Sequence, residues 1–201
     1  MKESKKMGRT GEIKRVTSET DIFVLIDLDG TGRAEVDTGI GFFDHMLKSF
    51  AKHGFFDLTV RVRGDLDVDC HHTIEDTGIA LGEAIKAAVG SKKGIRRYGN
   101  FLLPMDETLV MAAIDLSGRP YLGFNMTFTA EHVGGFDTEM VNEFFYAVSY
   151  SCGMNLHLVQ MAGRNNHHLI EAAFKGFAKA LDEAVSYDGR IEDVLSTKGA
   201  L

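Results

Sequence analysis

Apolar residues recur along this chain in two spacings, and the spacings follow one another in the same order twice. Ile22 to Leu28 is an apolar run of strand-forming residues. Leu58, Val60 and Val62 alternate with Thr59, Arg61 and Arg63, the period-two pattern of a strand with one wet face. Ile74, Gly78, Leu81, Ile85 and Ala88 then keep helical spacing behind Asp69, which marks a plausible cap region. Ile170, Ala173, Phe174, Phe177, Leu181 and Val185 form a stronger helical stripe, with Asn166 as its candidate N-cap. Two further helices are expected over about residues 43–52 and 138–150. Each half reads strand, strand, helix, strand, helix. Strands grouped with helices, without strict alternation, favour an α+β fold of sheets packed on helices.

The order repeats because the sequence does. Glu19-Thr20 leads an apolar run ending Ile26-Asp27-Leu28-Asp29-Gly30, and Glu107-Thr108 leads one ending Ile114-Asp115-Leu116-Ser117-Gly118, at a constant offset of 88. Farther on, Gly54, Leu58 and Gly64 match Gly153, Leu156 and Gly163. The chain therefore divides into two pseudo-symmetric repeats, 1–92 and 93–201, joined near Lys92-Lys93-Gly94, the second carrying a C-terminal tail. Two copies of this length exclude a solenoid.

Composition narrows the class. The 201 residues, 44% hydrophobic and 25% charged, suit one substantial globular core. A net charge of −7 argues against a nucleic-acid surface, while Arg96-Arg97 leaves room for a small anion. No apolar run approaches the roughly 20 residues of a membrane span. Two cysteines, Cys70 and Cys152, and no visible signal segment point to a reducing, cytoplasmic setting. Cys70 reads as a small buried thiol in preference to a ligand.

The chemistry sits in a motif present in both repeats. His71-His72-Thr73-Ile74-Glu75 and His167-His168-Leu169-Ile170-Glu171 lie 96 residues apart. At the start of a helix, the first His and the Glu share a face, while the second His turns by about 100°. One segment can thus feed two metal ions. His45 precedes the first pair, and Glu143 occupies the matching place before the second. Imidazole and carboxylate donors without a CxxC pair suit Mn, Fe, Co, Ni or Zn. His71 with Glu75, and His167 with Glu171, are expected on separate ions, with His72 and His168 each joining the opposite site. Eight ligands give two ions four each and leave open positions at a six-coordinate ion. His132 and His157 read as surface or satisfied core residues. Lys175 continues the face of Glu171.

These residues resemble a known family. Phe43-Asp44-His45-Met46-Leu47, Gly64-Asp65, Asp69 to Asp76, and Gly163 to Ala172 with Phe174-Lys175 are similar to the imidazoleglycerol-phosphate dehydratases, over nearly the whole chain. The resemblance implies a lyase of histidine biosynthesis that dehydrates imidazole glycerol phosphate to imidazole acetol phosphate through a metal-bound imidazolate. It implies a duplicated fold of the ribosomal protein S5 domain 2-like kind and two Mn2+ per active site. It also implies a homo-oligomer of 24 subunits with metals at subunit contacts. One ion would be held by His45, His72, His167 and Glu171, the other by His71, Glu75, His168 and residue 143. Family members often carry His where this chain has Glu143. The resemblance makes Glu19 the general acid/base, counts His45 and Glu171 with it as catalytic, and excludes its repeat mate Glu107. Arg97, Arg119, Ser196 and Lys198 fall at phosphate-contact positions, with Lys175 added on the substrate side; the tail would close over substrate. A metal-storage protein would need no phosphate clamp, and a binuclear hydrolase would bring bridging aspartates between close ions.

Overall fold

The computed structural model describes residues 8–200; residues 1–7 of the first expected repeat and Leu201 of the second lie outside the described residues. The first half comprises β1 (Thr10–Val16), β2 (Thr20–Asp27), β3 (Ala34–Asp37), α1 (Gly41–Gly54), β4 (Asp57–Gly64) and α2 (His71–Val89). The second comprises β5 (Tyr98–Met105), β6 (Thr108–Asp115), β7 (Tyr121–Asn125), β8 (His132–Val133), β9 (Phe136–Asp137), α3 (Met140–Cys152), β10 (Asn155–Ala162) and α4 (Asn166–Val185). The first sheet has the order β1-β2-β4-β3 and the second β5-β6-β10-β7, strand for strand the same. In each, two antiparallel pairings are followed by one parallel pairing to the short edge strand. The fold is α+β in two similar halves.

The alternation seen in the sequence sets the faces. Ile22, Val24 and Ile26 of β2 and Leu58, Val60 and Val62 of β4 point into the core, and α2 covers β1 and β2. In the second half α4 covers β5 and β6. The approach is close enough to require glycine at one matched place in each half: a Cβ on Gly11 would overlap the carbonyl oxygen of Ala84, and one on Gly99 that of Ala180.

The helices pair across the halves. α1 packs on α4, and α2 packs on α3. A run of buried aromatics marks this contact: Phe43 meets Phe144 at 5.3 Å between ring centroids, Phe144 stacks on Phe174 at 5.0 Å, and Phe50 stacks on Phe177 at 5.3 Å. Such pairs add to the apolar burial, and the core is one continuous cluster.

Three details differ from the sequence expectation. Each half has an extra edge strand, β3 or β7, and the second half adds the β8–β9 hairpin; these are four, five and two residues long and half exposed, too short to print a period. α1 and α3 begin and end within about two residues of the expected limits. The N-cap of α4 is Asn165, whose side chain accepts from the His168 amide, and not Asn166. Asn166 opens the helix and instead binds the Thr129 backbone amide through its side-chain oxygen at 2.9 Å. Both cysteines are free and buried.

Candidate metal centre and active site

Both histidine motifs open helices, as their spacing predicts. On α4, His167 Nε2 lies 3.1 Å from Glu171 Oε2. His45 of α1 reaches the same carboxylate at 3.8 Å because α1 rests on α4. Among the described residues, three donor atoms within 4.8 Å of one another are found at His45, His167 and Glu171. Phe42 packs its ring edge-on against His167 at 5.0 Å. Glu171 is 7% exposed. Burial alone would raise its carboxyl, but Lys175, with Nζ at 2.7 Å, together with His45 and His167 outweighs it and holds the group below its ordinary range.

On α2, His71 Nε2 and Glu75 Oε2 are 3.5 Å apart, the matching pair. Glu143 lies on α3, which packs on α2, but its carboxylate does not complete a three-donor group there. His45, His71 and His167 remain 52, 44 and 43% open, so each cluster still faces outward.

The second histidine of each motif points away from the first. His72 Nδ1 lies 2.9 Å from Asp65, and its Nε2 faces Glu19 at 3.9 Å. His168 Nδ1 lies 2.9 Å from Glu107, with Asp106 3.8 Å from Nε2. These hydrogen bonds raise the proton affinity of both imidazoles. Glu107, bound to His168 and to the amides of Asn165 and Arg164, is lowered to about 2. Glu19 is set in place by a turn: its amide and that of Thr20 donate to Thr17 Oγ1, and Thr20 Oγ1 donates to the buried Asp76 of α2 at 2.5 Å.

Of the residues expected at a phosphate, Arg97 lies against the C-terminal tail, away from both clusters. Arg97, 9% exposed, forks onto Asp115 at 2.7 and 3.0 Å and donates to the Leu195 carbonyl at 2.7 Å, next to Ser196. The amide of Leu116 donates to the Arg97 carbonyl, which brings in the turn leading to Arg119. Arg119 and Lys198 are exposed, and Ser196 Oγ accepts from the Lys198 amide at 3.2 Å. A 490 Å3 groove on the outer face of the first sheet is lined by none of these side chains. His132 pairs with Asp137, and His157 packs on Tyr121 at 5.5 Å, outside either cluster. Sequence reasoning passed over Asp65 and Glu107 as histidine partners. The shared offset of Glu19 and Glu107 was the available signal for the second.

A duplicated α+β fold with His–Glu clusters at the starts of its two long helices defines a class of enzyme built from two related halves. The family model described as Imidazoleglycerol-phosphate dehydratase matches residues 38–181. A relative of that name from Lachnoclostridium phytofermentans is 67% identical over 97% of this chain and 100% of its own length. One from Acetivibrio thermocellus is 56% identical with the same coverage. The crystal structure of the Staphylococcus aureus enzyme matches with TM-score 0.81 and 38% identity over 89% of this chain and 99% of that one. The Pyrococcus furiosus structure matches with TM-score 0.81 and 36% identity, over 94% and 100%. The chain belongs to the imidazoleglycerol-phosphate dehydratase family, and is a hydro-lyase of histidine biosynthesis. Among the described residues, no helix is long and apolar enough to cross a membrane.

Proposed function

We propose that this protein dehydrates imidazole glycerol phosphate to imidazole acetol phosphate with two Mn2+ ions per active site. The observation that carries the metal reading is the convergence of His45, His167 and Glu171 within 4.8 Å, from two helices of different halves. Their donor chemistry fits a divalent ion with open positions. His72 would complete this set, and His71, Glu75, Glu143 and His168 would form the other. Each incomplete cluster is open to solvent, which supports completion by a neighbouring subunit in a 24-subunit shell. Exposed Tyr98 and Leu102 on the edge strand β5 offer apolar surface for such contacts. The repeats 1–92 and 93–201 act together as one dehydratase domain, in the cytoplasm.

Ions held by these two ligand sets would supply Lewis acidity at the site. Glu19, beside His72, gives a proton to the departing hydroxyl, which leaves as water, and then takes one from the neighbouring side-chain carbon. The enol that remains tautomerises to the ketone. Arg97, Arg119, Ser196 and Lys198 hold the phosphate, Arg97 already oriented by Asp115 and by the tail. Lys175 keeps Glu171 ionised and lies on the substrate side. His45 and Glu171 act through the ion they would hold.

Incubating the Mn2+-loaded protein with imidazole glycerol phosphate is expected to yield the ketone product and water. Absence of product from metal-loaded, folded protein would overturn the reading.

A further inference from the structure

Two chain positions lie at the end of each sheet from which a side chain can reach the second histidine of the motif. One precedes β2 or β6 and the other follows β4 or β10. They are neighbours because Thr20 pairs with Gly64 across β2 and β4, and Leu109 with Ala162 across β6 and β10. In the first half these positions hold Glu19 and Asp65; in the second they hold Glu107 and Arg164. The repeat offers a carboxylate before the strand in both halves, but after the strand in the first half only.

The histidines respond to this difference. In the second half Glu107 sits on His168 Nδ1 at 2.9 Å. In the first half its mate Glu19 does not bind Nδ1; Asp65 does, at the same 2.9 Å, and Glu19 faces Nε2. An imidazole with Nδ1–H bonded to a carboxylate presents Nε2 as its basic nitrogen, and such partners orient metal-binding histidines. Asp65 is kept there at a cost: its other oxygen is buried without a hydrogen-bond partner among the described residues.

We propose that Asp65 and Glu107 are positioning residues that hold the proton on Nδ1 of His72 and His168, leaving Nε2 to ligate, and that seating this duty on Asp65 is what frees Glu19 for the substrate. The inference rests on the metal reading above. It explains why two glutamates at matched places in the repeat have different work. In the second half Arg164 offers no acceptor for the imidazole N–H, so Glu107 must accept that hydrogen bond.

The test is Mn2+ binding by the full chain, read from the electron paramagnetic resonance of free Mn2+ and independent of turnover. Asp65→Ala and Glu107→Ala are each expected to weaken one of two Mn2+ sites by about 10–100-fold and spare the other. Asp65→Asn, which keeps an acceptor, is expected to restore part of the loss. Glu19→Gln is expected to leave both sites intact. Native affinity at both sites in folded Asp65→Ala or Glu107→Ala overturns the inference alone, as does a loss in Glu19→Gln equal to that in Asp65→Ala. If the alanine variants do not fold, Asp65→Asn and Glu107→Gln carry the test, with unchanged affinity again overturning it. Failure of the unaltered protein to bind Mn2+ overturns the metal reading and this inference together.

Discussion

Lys175 lies one helical turn beyond Glu171, its ammonium 2.7 Å from one carboxylate oxygen, while the other oxygen faces His167 at 3.1 Å. Both side chains are largely buried, at 19 and 9% exposure. The ammonium is what lets a buried carboxylate stay charged beside two histidines. Lys175→Met strands that carboxylate, and leaving a buried acceptor without its partner costs about 1–3 kcal/mol, more for a charged one. Urea unfolding of the metal-free variant should show a lower midpoint with an unchanged slope. An unchanged midpoint would remove the ammonium from this account.

Gly11 and Gly99 predict a matched pair of effects. Gly11→Ala pushes β1 off α2, and Gly99→Ala pushes β5 off α4, because the added carbon meets backbone in both places. Overpacking of this kind costs about 1–3 kcal/mol. Thermal melting should fall in both variants to a similar degree. A neutral result at either position would show that the strand there can move.

Glu19→Gln separates proton transfer from metal binding. Turnover is expected to be abolished while Mn2+ remains bound, since Asp65 and not Glu19 holds His72 Nδ1. Near-normal turnover would sink the acid/base role.

The tail can be tested by removing the last six residues. This deletes Ser196 and Lys198 but leaves Leu195, whose carbonyl accepts from Arg97. The substrate KM should rise with little change in melting temperature. Unchanged affinity would dismiss the tail from phosphate binding.

Asp57 gives a pH dependence away from the clusters. Burial tends to raise its carboxyl, but the amides of Arg33 and Thr31 and the Thr31 hydroxyl hold it below its ordinary range. A lowered folded pKa means stability that is fully present above the unfolded value, about 3.9. That stability is lost as pH falls through the lower folded value. Asp57→Ala should therefore melt below the native protein at pH 7, and the gap should narrow below pH about 3.9. A gap that persists undiminished at low pH would assign the effect to packing.

Much of this was legible in the sequence because it depends on local spacing. The alternation of Leu58, Val60 and Val62 gave β4, and the stripe from Ile170 to Val185 gave α4. The His-His-x-x-Glu copies gave two helix starts with a ligand pair on each. The pairing of α1 with α4 was not legible, since nothing in the spacing of Phe43, Phe50, Phe174 or Phe177 says which helix faces which. His45 meets Glu171 only through that pairing. Asp65 and Glu107 were hidden for a related reason. Their reach to Nδ1 depends on which strand ends lie side by side, and the loop before each histidine pair carries no period.

The exchange of helix partners has a further consequence. Each half rests its first helix on the other half's second, which is how two subunits related by a two-fold axis would embrace. The peptide link near Gly94 makes these partners permanent neighbours at fixed stoichiometry. A lone half would present an uncovered aromatic face and a cluster lacking its third donor. The polypeptide is thus organised as an intramolecular dimer, in which assembling the pair and building the His45–His167–Glu171 cluster are a single event.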